Sequence, residues 1–296
     1  MKSVVILCNG EFPKKEYPLY LLRTADVIVC CDSRYNIGRL KKLGLEPALI
    51  VGDMDSTPRR IQQQYADRLV HLAGQDDNDL SKAFNVVRER WPEASDIYIL
   101  GASGKEEAHT IGNFGWLMEW ERRAMDEFAD SKQRGESGRE SIGPFTLSQD
   151  PTPHSHIEAK GLSSSPCCPK SCFKPKDHSA FPSCFNSCLE AQGLTAPPSC
   201  PNSCLEAKGL RVEMVSDYST AFVVSGFRPM ELHVGEGRKM SFFSTDPSLS
   251  IRSTGLIWPL EGVDLSKWWA ATLNRTDSDI VTLQFSHLSP LLIIMD

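Results

Sequence analysis

Three features are scarce in this sequence of 296 residues: long apolar runs, excess positive charge, and cysteine outside one segment. The apolar run near the amino terminus, Val4–Leu7, is too short for a signal peptide and far too short to span a membrane. The net charge of -6 argues against nucleic-acid binding, which normally requires a basic face. We therefore expect a soluble, cytoplasmic protein with no nucleic-acid and no membrane partner, acting on small molecules.

Cysteine is concentrated in one segment, because seven of the ten cysteines lie between Cys167 and Cys204. The other three, Cys8, Cys30 and Cys31, lie in strand-like apolar runs, where cysteine behaves as a small buried hydrophobic residue. Hydrophobic residues make up 41% and charged residues 24%, which is typical of globular proteins, and the length suits two domains.

Residues 1–128 alternate between short β-branched runs and segments of helical periodicity. This alternation predicts a three-layer α/β domain with a mostly parallel sheet. The predicted strands are Val4–Leu7, Val27–Cys31, Ala48–Val51 and Ile97–Leu100, and the predicted helices are Leu19–Arg23, Asn36–Leu43, Ile61–Tyr65, Leu80–Arg90 and Thr110–Glu127. Residues 211–296 contain short strands separated by turns and no long helical period, which predicts an all-β domain, a carboxy-terminal β-sandwich.

Residues 129–210 are rich in Ser, Pro, Gly, Lys and Cys and contain a 16-residue repeat. The repeat appears as near copies at 155–162, 187–194 and 203–210. Its cysteine pairs 168/172, 184/188 and 200/204 have a spacing that structural zinc sites use less often than shorter or longer knuckles. We interpret the segment as a mostly disordered insert produced by tandem duplication, with a zinc site as the alternative.

The acidic turn Gly52–Ser56 directly follows a predicted strand, at the end where open α/β sheets bind ligands. Asp53 and Asp55, separated by one residue, have the spacing that lets both face a hard divalent cation. The competing interpretation is a solvated acidic turn without a ligand.

Two further elements have the same placement. Asp76, Asp77, Asn78 and Asp79 come just before a predicted helix, so one of the last three is expected to cap it and the others to face Mg²⁺, with Lys82 near a phosphate. The stretch from Gly101 to Asn113 combines a strand end, a glycine loop and a helix start, and its backbone amides suit phosphates although it is not a Walker A loop.

The order of these motifs resembles the thiamine pyrophosphokinase family, bacterial type, over Val4 to about Trp120 and from Val212 to the end. The motifs that carry the resemblance are Asn9-Gly10-Glu11, Gly52–Ser56, Asp79–Ala83, the Gly101 loop with His109 to Asn113, Ser253–Leu260 and Thr272–Asn274. The resemblance implies a kinase that moves pyrophosphate from ATP to thiamine, giving thiamine diphosphate and AMP.

The resemblance also implies residue roles, Mg²⁺ as cofactor, and a homodimer with the thiamine site between subunits. Asp53, Asp55, Asp79 and His109 are the implied catalytic residues; Asp53, Asp55, Asp76 and Asp79 are the metal ligands; Asn9, Asp32, Ser56, Lys82, Gly101, Gly104, Lys105 and Asn113 bind ATP; and Ser253, Thr254, Trp258 and Asn274 bind thiamine.

The sequence departs from the family pattern in the third loop, where Glu106 replaces a phosphate-facing arginine and Ala108 replaces a carboxylate. After the second strand, Asp32-Ser33-Arg34 stands where the family has Asp-Gly-Ala. Reversing a charge beside a triphosphate opposes its binding. Three hypotheses follow: an active thiamine pyrophosphokinase, a catalytically weakened protein of the same fold that binds thiamine or its diphosphate, and a metal-binding scaffold that acts through the cysteine-rich repeat.

Overall fold

The computed structural model describes residues 2–74, 77–133, 210–226 and 230–296, with the backbone alone for residues 128–133. Described residues up to Asp130 and from residue 210 onward belong to one compact unit. Almost all of the predicted 129–210 insert, with its repeat and the alternatives of disorder or a zinc site, lies outside the described residues.

Strands and helices alternate in the first part of the chain, and strands alone follow residue 210 in the described ranges. The strands are β1 (Lys2–Leu7), β2 (Val27–Cys31), β3 (Leu49–Gly52), β4 (Leu69–His71), β5 (Ala94–Leu100), β6 (Arg211–Val215), β7 (Thr220–Val224), β8 (Met230–His233), β9 (Lys239–Ser244), β10 (Ile251–Thr254), β11 (Asn274–Arg275), β12 (Ile280–Phe285) and β13 (Leu291–Met295). The α-helices are α1 (Glu16–Thr24), α2 (Arg34–Lys42), α3 (Arg59–Gln64), α4 (Asp79–Arg90) and α5 (Glu107–Gln133), and a short 3-10 helix covers Ala66–Arg68.

Within the described ranges, ten strands form one sheet in the order β11-β9-β13-β7-β6-β5-β1-β2-β3-β4. The strands from β6 to β4 in this order pair in parallel, as predicted for an α/β domain. The strands from β7 outward pair antiparallel. One sheet therefore runs from the α/β half into the β half, through the parallel pairing of β5 with β6.

Helices cover both faces of the parallel strands, which makes three layers. Alternate residues of β1 and β2 point to opposite faces, so Val4 and Ile6 pack against Phe84 of α4 and Leu117 of α5. Val5 and its neighbours on the other face join a separate core with residues of α1 and α2. Cys8, Cys30 and Cys31 are buried free thiols within these cores, as predicted.

A three-stranded sheet, β10-β12-β8, packs on the antiparallel strands and completes a β-sandwich. Their shared core includes Met240 and Phe242 from the large sheet and Ile251 and Leu283 from the small one. The predicted α/β fold with a carboxy-terminal β-sandwich is confirmed, while the division into domains at 128 and 211 remains a proposal. In the described part of the chain, no helix combines the length and apolar character that a membrane span requires.

Candidate active site

Three aspartates meet at the carboxyl ends of β2 and β3. Asp32 follows β2, and Asp53 and Asp55 follow β3. Because these strands pair in parallel, with Cys31 opposite Val51, they deliver the residues that follow them to the same edge of the sheet. One carboxylate oxygen of each aspartate lies within 4.8 Å of the other two. Three hard oxygen donors at this spacing can hold a divalent cation.

Hydrogen bonds orient these carboxylates. Asp32 is 2% exposed, and its carboxylate accepts from the backbone N–H of Ser56 at 3.1 Å and from the hydroxyl of Thr57. The Oδ1 atom of Asp53 accepts from the backbone N–H of Asp55 at 3.2 Å. The acidic group is therefore arranged by the protein itself, although its negative charges repel one another.

The backbone of the turn has a conformation that requires glycine at its first position. Gly52 has φ +153°, and a Cβ on it would lie 2.6 Å from the Cβ of Asp32. Met54 has φ +65° and a buried side chain, and Gln62 of α3 donates from Nε2 to the carbonyl oxygens of Met54 at 3.0 Å and Thr57 at 2.7 Å. Helix α3 thus fixes the turn that carries Asp53.

Asp79, the first residue of α4, borders the acidic group without being one of the three clustered residues. Burial raises the pKa of Asp79, Lys82 lowers it, and the negative charges of the clustered aspartates raise it further. The Nζ atom of the buried Lys82 lies 3.9 Å from Oδ1 of Asp79. Asp76, a predicted metal ligand, lies outside the described residues.

The sequence left open which of Asp77, Asn78 and Asp79 caps α4, and the structure assigns the cap to Asn78. Its Oδ1 accepts from the backbone N–H of Ser81 at 2.8 Å. Asp77 accepts from the hydroxyl of Ser81 at 3.1 Å. These two residues support the helix start, which leaves the Asp79 carboxylate beside the acidic group of Asp32, Asp53 and Asp55.

The loops after β1 and β5 lie in direct contact. The backbone N–H of Gly10 donates to the carbonyl oxygen of Gly101 at 2.6 Å, and that of Glu11 donates to the carbonyl oxygen of Ser103 at 2.7 Å. A Cβ on Gly10 would lie 2.2 Å from the Gly101 oxygen, so this approach requires glycine.

Lys105 connects the loop after β5 to the loops after β1 and β2. Its Nζ donates to the backbone oxygen of Asn9 at 2.7 Å and to Oδ1 of Asn9 at 3.2 Å. The hydroxyl of Ser33, next to Asp32 in the chain, donates to the same Oδ1 at 2.8 Å. The structure therefore brings together Asn9 and Lys105, two residues predicted for ATP binding, and joins them through Ser33 to the loop that carries a third, Asp32.

Asn113 and His109, both on α5, have different surroundings. The buried Asn113 donates from Nδ2 to the carbonyl oxygen of Ala102 at 2.8 Å and accepts from Nδ2 of Asn78 at 3.3 Å. These contacts tie α5 to the glycine loop and to the cap of α4. His109 is exposed, with its Nε2 3.7 Å from an oxygen of Glu106. The roles of Asn113 in ATP binding and His109 in catalysis stay predictions.

In the β-sandwich, Ser253 and Asn274 hold the loop that presents Trp258. A backbone N–H at the end of this loop donates to Oγ of Ser253 at 2.8 Å, and Asn274 donates from Nδ2 to the carbonyl oxygen of Trp258 at 2.6 Å. The Trp258 side chain is 59% exposed. The hydroxyl of Thr254 hydrogen-bonds to that of Thr282 on β12. The indole is thus accessible, while Ser253 and Asn274 are engaged within the protein.

Several residues of this region were not among the predicted site residues. Thr57 and Gln62 support the acidic turn, and Tyr35 lies beside Lys105. In the sandwich, Trp269 and Leu273 are strongly exposed. Because Thr57 directly follows the predicted Gly52–Ser56 motif, the sequence was sufficient to predict that it lies near the site. The sequence does not predict the position of Tyr35, which depends on the packing of two loops.

Both the sequence and the fold of this chain are similar to those of known proteins. The family model described as thiamin pyrophosphokinase, catalytic domain, matches residues 19–128. No curated protein matches the sequence.

Solved structures with a similar fold come from bacteria and yeast. A thiamin pyrophosphokinase family protein from Enterococcus faecalis is 14% identical, with a TM-score of 0.57 and coverage of 100% of this chain and 99% of its own. The thiamin pyrophosphokinase from Geobacillus thermodenitrificans is 15% identical, with a TM-score of 0.56 and coverage of 99% and 97%. The yeast thiamin pyrophosphokinase is 11% identical, with a TM-score of 0.56 and coverage of 100% and 86%. At these identities the likeness shows the fold alone.

Proposed function

We propose that this chain, whose residues 19–128 match the family model described as thiamin pyrophosphokinase, catalytic domain, transfers the pyrophosphoryl group of ATP to the hydroxyethyl oxygen of thiamine. The products are thiamine diphosphate and AMP. The observation that carries the proposal is the convergence of Asp32, Asp53 and Asp55 at the carboxyl edge of the sheet, inside the matched segment. Transfer of phosphoryl groups depends mainly on positioning and electrostatic stabilisation, which such an edge supports.

The proposed cofactor is Mg²⁺. The three clustered aspartates offer carboxylate oxygens within 4.8 Å of one another, and oxygen ligands are those that Mg²⁺ prefers, so the donor set fits this ion. Asp32, Asp53 and Asp55 would hold it, and Asp79 lies beside them. When bound, the ion neutralises phosphate charge and stabilises the charge that develops during transfer. The further ligand predicted from the sequence, Asp76, remains a proposal.

Positively charged side chains on the same edge complement the phosphates. Lys105 donates a hydrogen bond to the backbone oxygen of Asn9, and the buried Lys82 lies beside Asp79 at the start of α4. An ammonium group acts as a point charge toward phosphate, whereas an arginine offers a bidentate fork. Lys105 and Lys82 therefore attract the triphosphate without fixing its orientation by themselves, and orientation falls to the loop backbone and Asn9.

The thiamine side of the proposal rests on Trp258 and on a homodimer. The exposed indole of Trp258 offers an aromatic face to the cationic thiazolium ring. Ser253, Thr254 and Asn274 are the proposed contacts for the rest of thiamine, alongside their hydrogen bonds within the protein. We include the dimer, with the thiamine site between subunits, in the proposal; the cytoplasmic location stays a prediction.

The test is incubation of the purified protein with thiamine, ATP and Mg²⁺, followed by measurement of AMP and thiamine diphosphate by chromatography. Both products are expected in equal amounts. Asp53→Asn removes one charge of the acidic group and should lower kcat by about 100-fold, since a loss of about 2.7 kcal/mol in transition-state stabilisation corresponds to that factor. Asp67→Asn, an exposed aspartate on the 3-10 helix, is the matched control and should retain full activity.

Failure of the wild-type protein to form either product would contradict the enzymatic proposal. Equal activity of the Asp53→Asn and Asp67→Asn variants would instead show that the acidic group is not the reaction site.

Glu106 favours a second candidate, the catalytically weakened binding protein. This exposed carboxylate stands where the family has an arginine, and its described ionic partner is His109 at 3.7 Å. If thiamine raises the melting temperature while no AMP forms, this second function holds. The third hypothesis, a scaffold acting through the cysteine-rich repeat, concerns residues outside the described part of the chain. A measured stoichiometry of zinc bound to the purified protein would support it.

The double variant Glu106→Arg, Ala108→Asp restores the charges of the family pattern. We expect it to raise kcat/KM by about tenfold, because a gain of about 1.4 kcal/mol in transition-state binding corresponds to that factor. Steady-state kinetics in ATP provide the measurement. An unchanged or lower kcat/KM would mean that Glu106 and Ala108 do not occupy the positions assigned to them.

A further inference from the structure

The ammonium group of Lys105 lies at the carboxyl edge of the sheet, and none of the ion pairs between described residues includes it. Among the described residues, no acidic oxygen lies within ion-pair distance of its Nζ. Its hydrogen bonds go to the backbone oxygen of Asn9 at 2.7 Å and to Oδ1 of Asn9 at 3.2 Å. A long, exposed lysine side chain normally samples many rotamers, so a contact with a second residue helps to keep its ammonium group at one place.

The ring of Tyr35 supplies this second contact. Tyr35 lies in the first turn of α2, directly after the loop that carries Asp32, and its side chain is half-exposed. The Nζ of Lys105 lies 5.3 Å from the ring centroid, within the range of a cation–π interaction. One helical turn later, Arg39 donates to the Tyr35 hydroxyl, and its guanidinium carbon lies 4.5 Å from the same ring. Arg39 thus fixes the ring on which Lys105 rests.

We infer that Tyr35 is a positioning residue for the nucleotide: its ring, together with Asn9, holds the Lys105 ammonium where the triphosphate binds. This inference rests on the proposed function, because ATP is the anion that would meet the positive charge of Lys105. In this role Tyr35 acts on the nucleotide through Lys105 and takes no part in the reaction itself. Its loss should therefore weaken ATP binding and leave the rate of the bound complex nearly unchanged.

The experiment compares five variants of the full chain: Tyr35→Phe, Tyr35→Leu, Lys105→Met, the double variant Tyr35→Leu/Lys105→Met, and the control Tyr20→Leu. Tyr20 is an exposed tyrosine on α1. Isothermal titration with α,β-methylene-ATP and Mg²⁺ gives the dissociation constant, and steady-state assays give KM for ATP, KM for thiamine and kcat. Circular dichroism checks that each variant is folded.

We expect Tyr35→Leu to raise the dissociation constant and the KM for ATP about two- to fivefold, the factor to which an exposed cation–π contact of about 0.5–1 kcal/mol converts. The kcat and the KM for thiamine should change little. Tyr35→Phe keeps the ring and should retain most of the affinity. With Lys105→Met in place, Tyr35→Leu should have no further effect, since the contact is already lost.

Two results would overturn the inference: an equal loss of affinity in Tyr35→Phe and Tyr35→Leu, or a Tyr35→Leu effect that is undiminished in the Lys105→Met background.

The failure of the proposed function is a separate outcome. A wild-type protein that binds the ATP analogue but forms no thiamine diphosphate contradicts the enzymatic proposal, while the titrations still decide the role of Tyr35. A wild-type protein that does not bind the analogue overturns both.

Discussion

Gly52 brings β3 closer to Asp32 than a residue with a side chain allows, because a Cβ on Gly52 would lie 2.6 Å from the Cβ of Asp32. We predict that Gly52→Ala displaces Asp32 or the turn that carries Asp53. It should lower the free energy of unfolding by about 2–3 kcal/mol, from strain and the clash together, and reduce kcat/KM at least tenfold. Urea denaturation and steady-state kinetics measure the two effects.

Gly44 provides a matched control for this substitution. It also has a positive φ, +72°, but nothing lies within 4 Å of the Cβ that alanine would add. Gly44→Ala should therefore lose only the backbone term, about 1 kcal/mol, and keep its activity. If the two variants are equally stable and equally active, the close approach of Gly52 to Asp32 has no functional importance.

The site residues differ in how far the sequence predicts their positions. Asp53 and Asp55 were predictable because they are neighbours in the chain and follow one strand. The inclusion of Asp32 in the acidic group depends on the pairing of β2 with β3, which the local sequence does not encode. The position of Tyr35 beside Lys105 likewise arises from residues far apart in the chain.

Among the elements, buried β-branched strands and long helices were predictable because their patterns are strong and local. β4 and β11 were not predicted. Their three and two residues are too few for a periodic pattern, and neighbouring strands define them. The parallel pairing of β6 with β5 was also missed as a link between the two halves, since β6 follows the insert in the chain and resembles the strands after it.

Two loops of the β-sandwich, β9–β10 and β12–β13, are joined by Asp246 and His287, with Nε2 of His287 2.8 Å from a carboxylate oxygen of Asp246. A hydrogen bond from the Ser248 hydroxyl lowers the pKa of Asp246, and the hydrogen bond from His287 lowers it further by a smaller amount. A lowered carboxyl pKa stabilises the fold above the unfolded value of about 3.9, and this stability is lost as the pH falls toward the folded value.

Asp246→Asn should therefore lower the free energy of unfolding at pH 7 by about 1 kcal/mol, a figure reduced for solvent screening of this partly exposed group. The difference from the wild type should shrink as the pH falls below about 4. Melting curves between pH 7 and pH 3 provide the measurement, with Asp277→Asn, an exposed aspartate before β12, as the control. A difference that is constant with pH would contradict the assignment.

The ten-stranded sheet is continuous across the chain segment between α5 and β6, because β5 pairs with β6. The described residues before and after this segment belong to one compact unit. Strands β5 and β6 pair in parallel, with Ile97 opposite Val212. The pairing that joins the two halves is thus made by residues outside the insert. Stability of the unit should depend on this pairing rather than on the length of the connection, because loop closure costs only about 0.6 kcal/mol per doubling of length.

We predict that deletion of residues 155–202 leaves a folded protein with unchanged activity and oligomeric state. The residues that remain between Gln133 and Arg211 still form a long connection, and shortening it should slightly reduce the entropy cost of closing it. The melting temperature should change by only a few degrees, and kcat/KM should stay within twofold. Light scattering should show the same number of subunits per assembly as in the full chain.

Aggregation, or a dimer that dissociates only after the deletion, would mean that the repeat takes part in folding or assembly. Zinc bound by the full chain and lost with the deletion would give the repeat a function of its own.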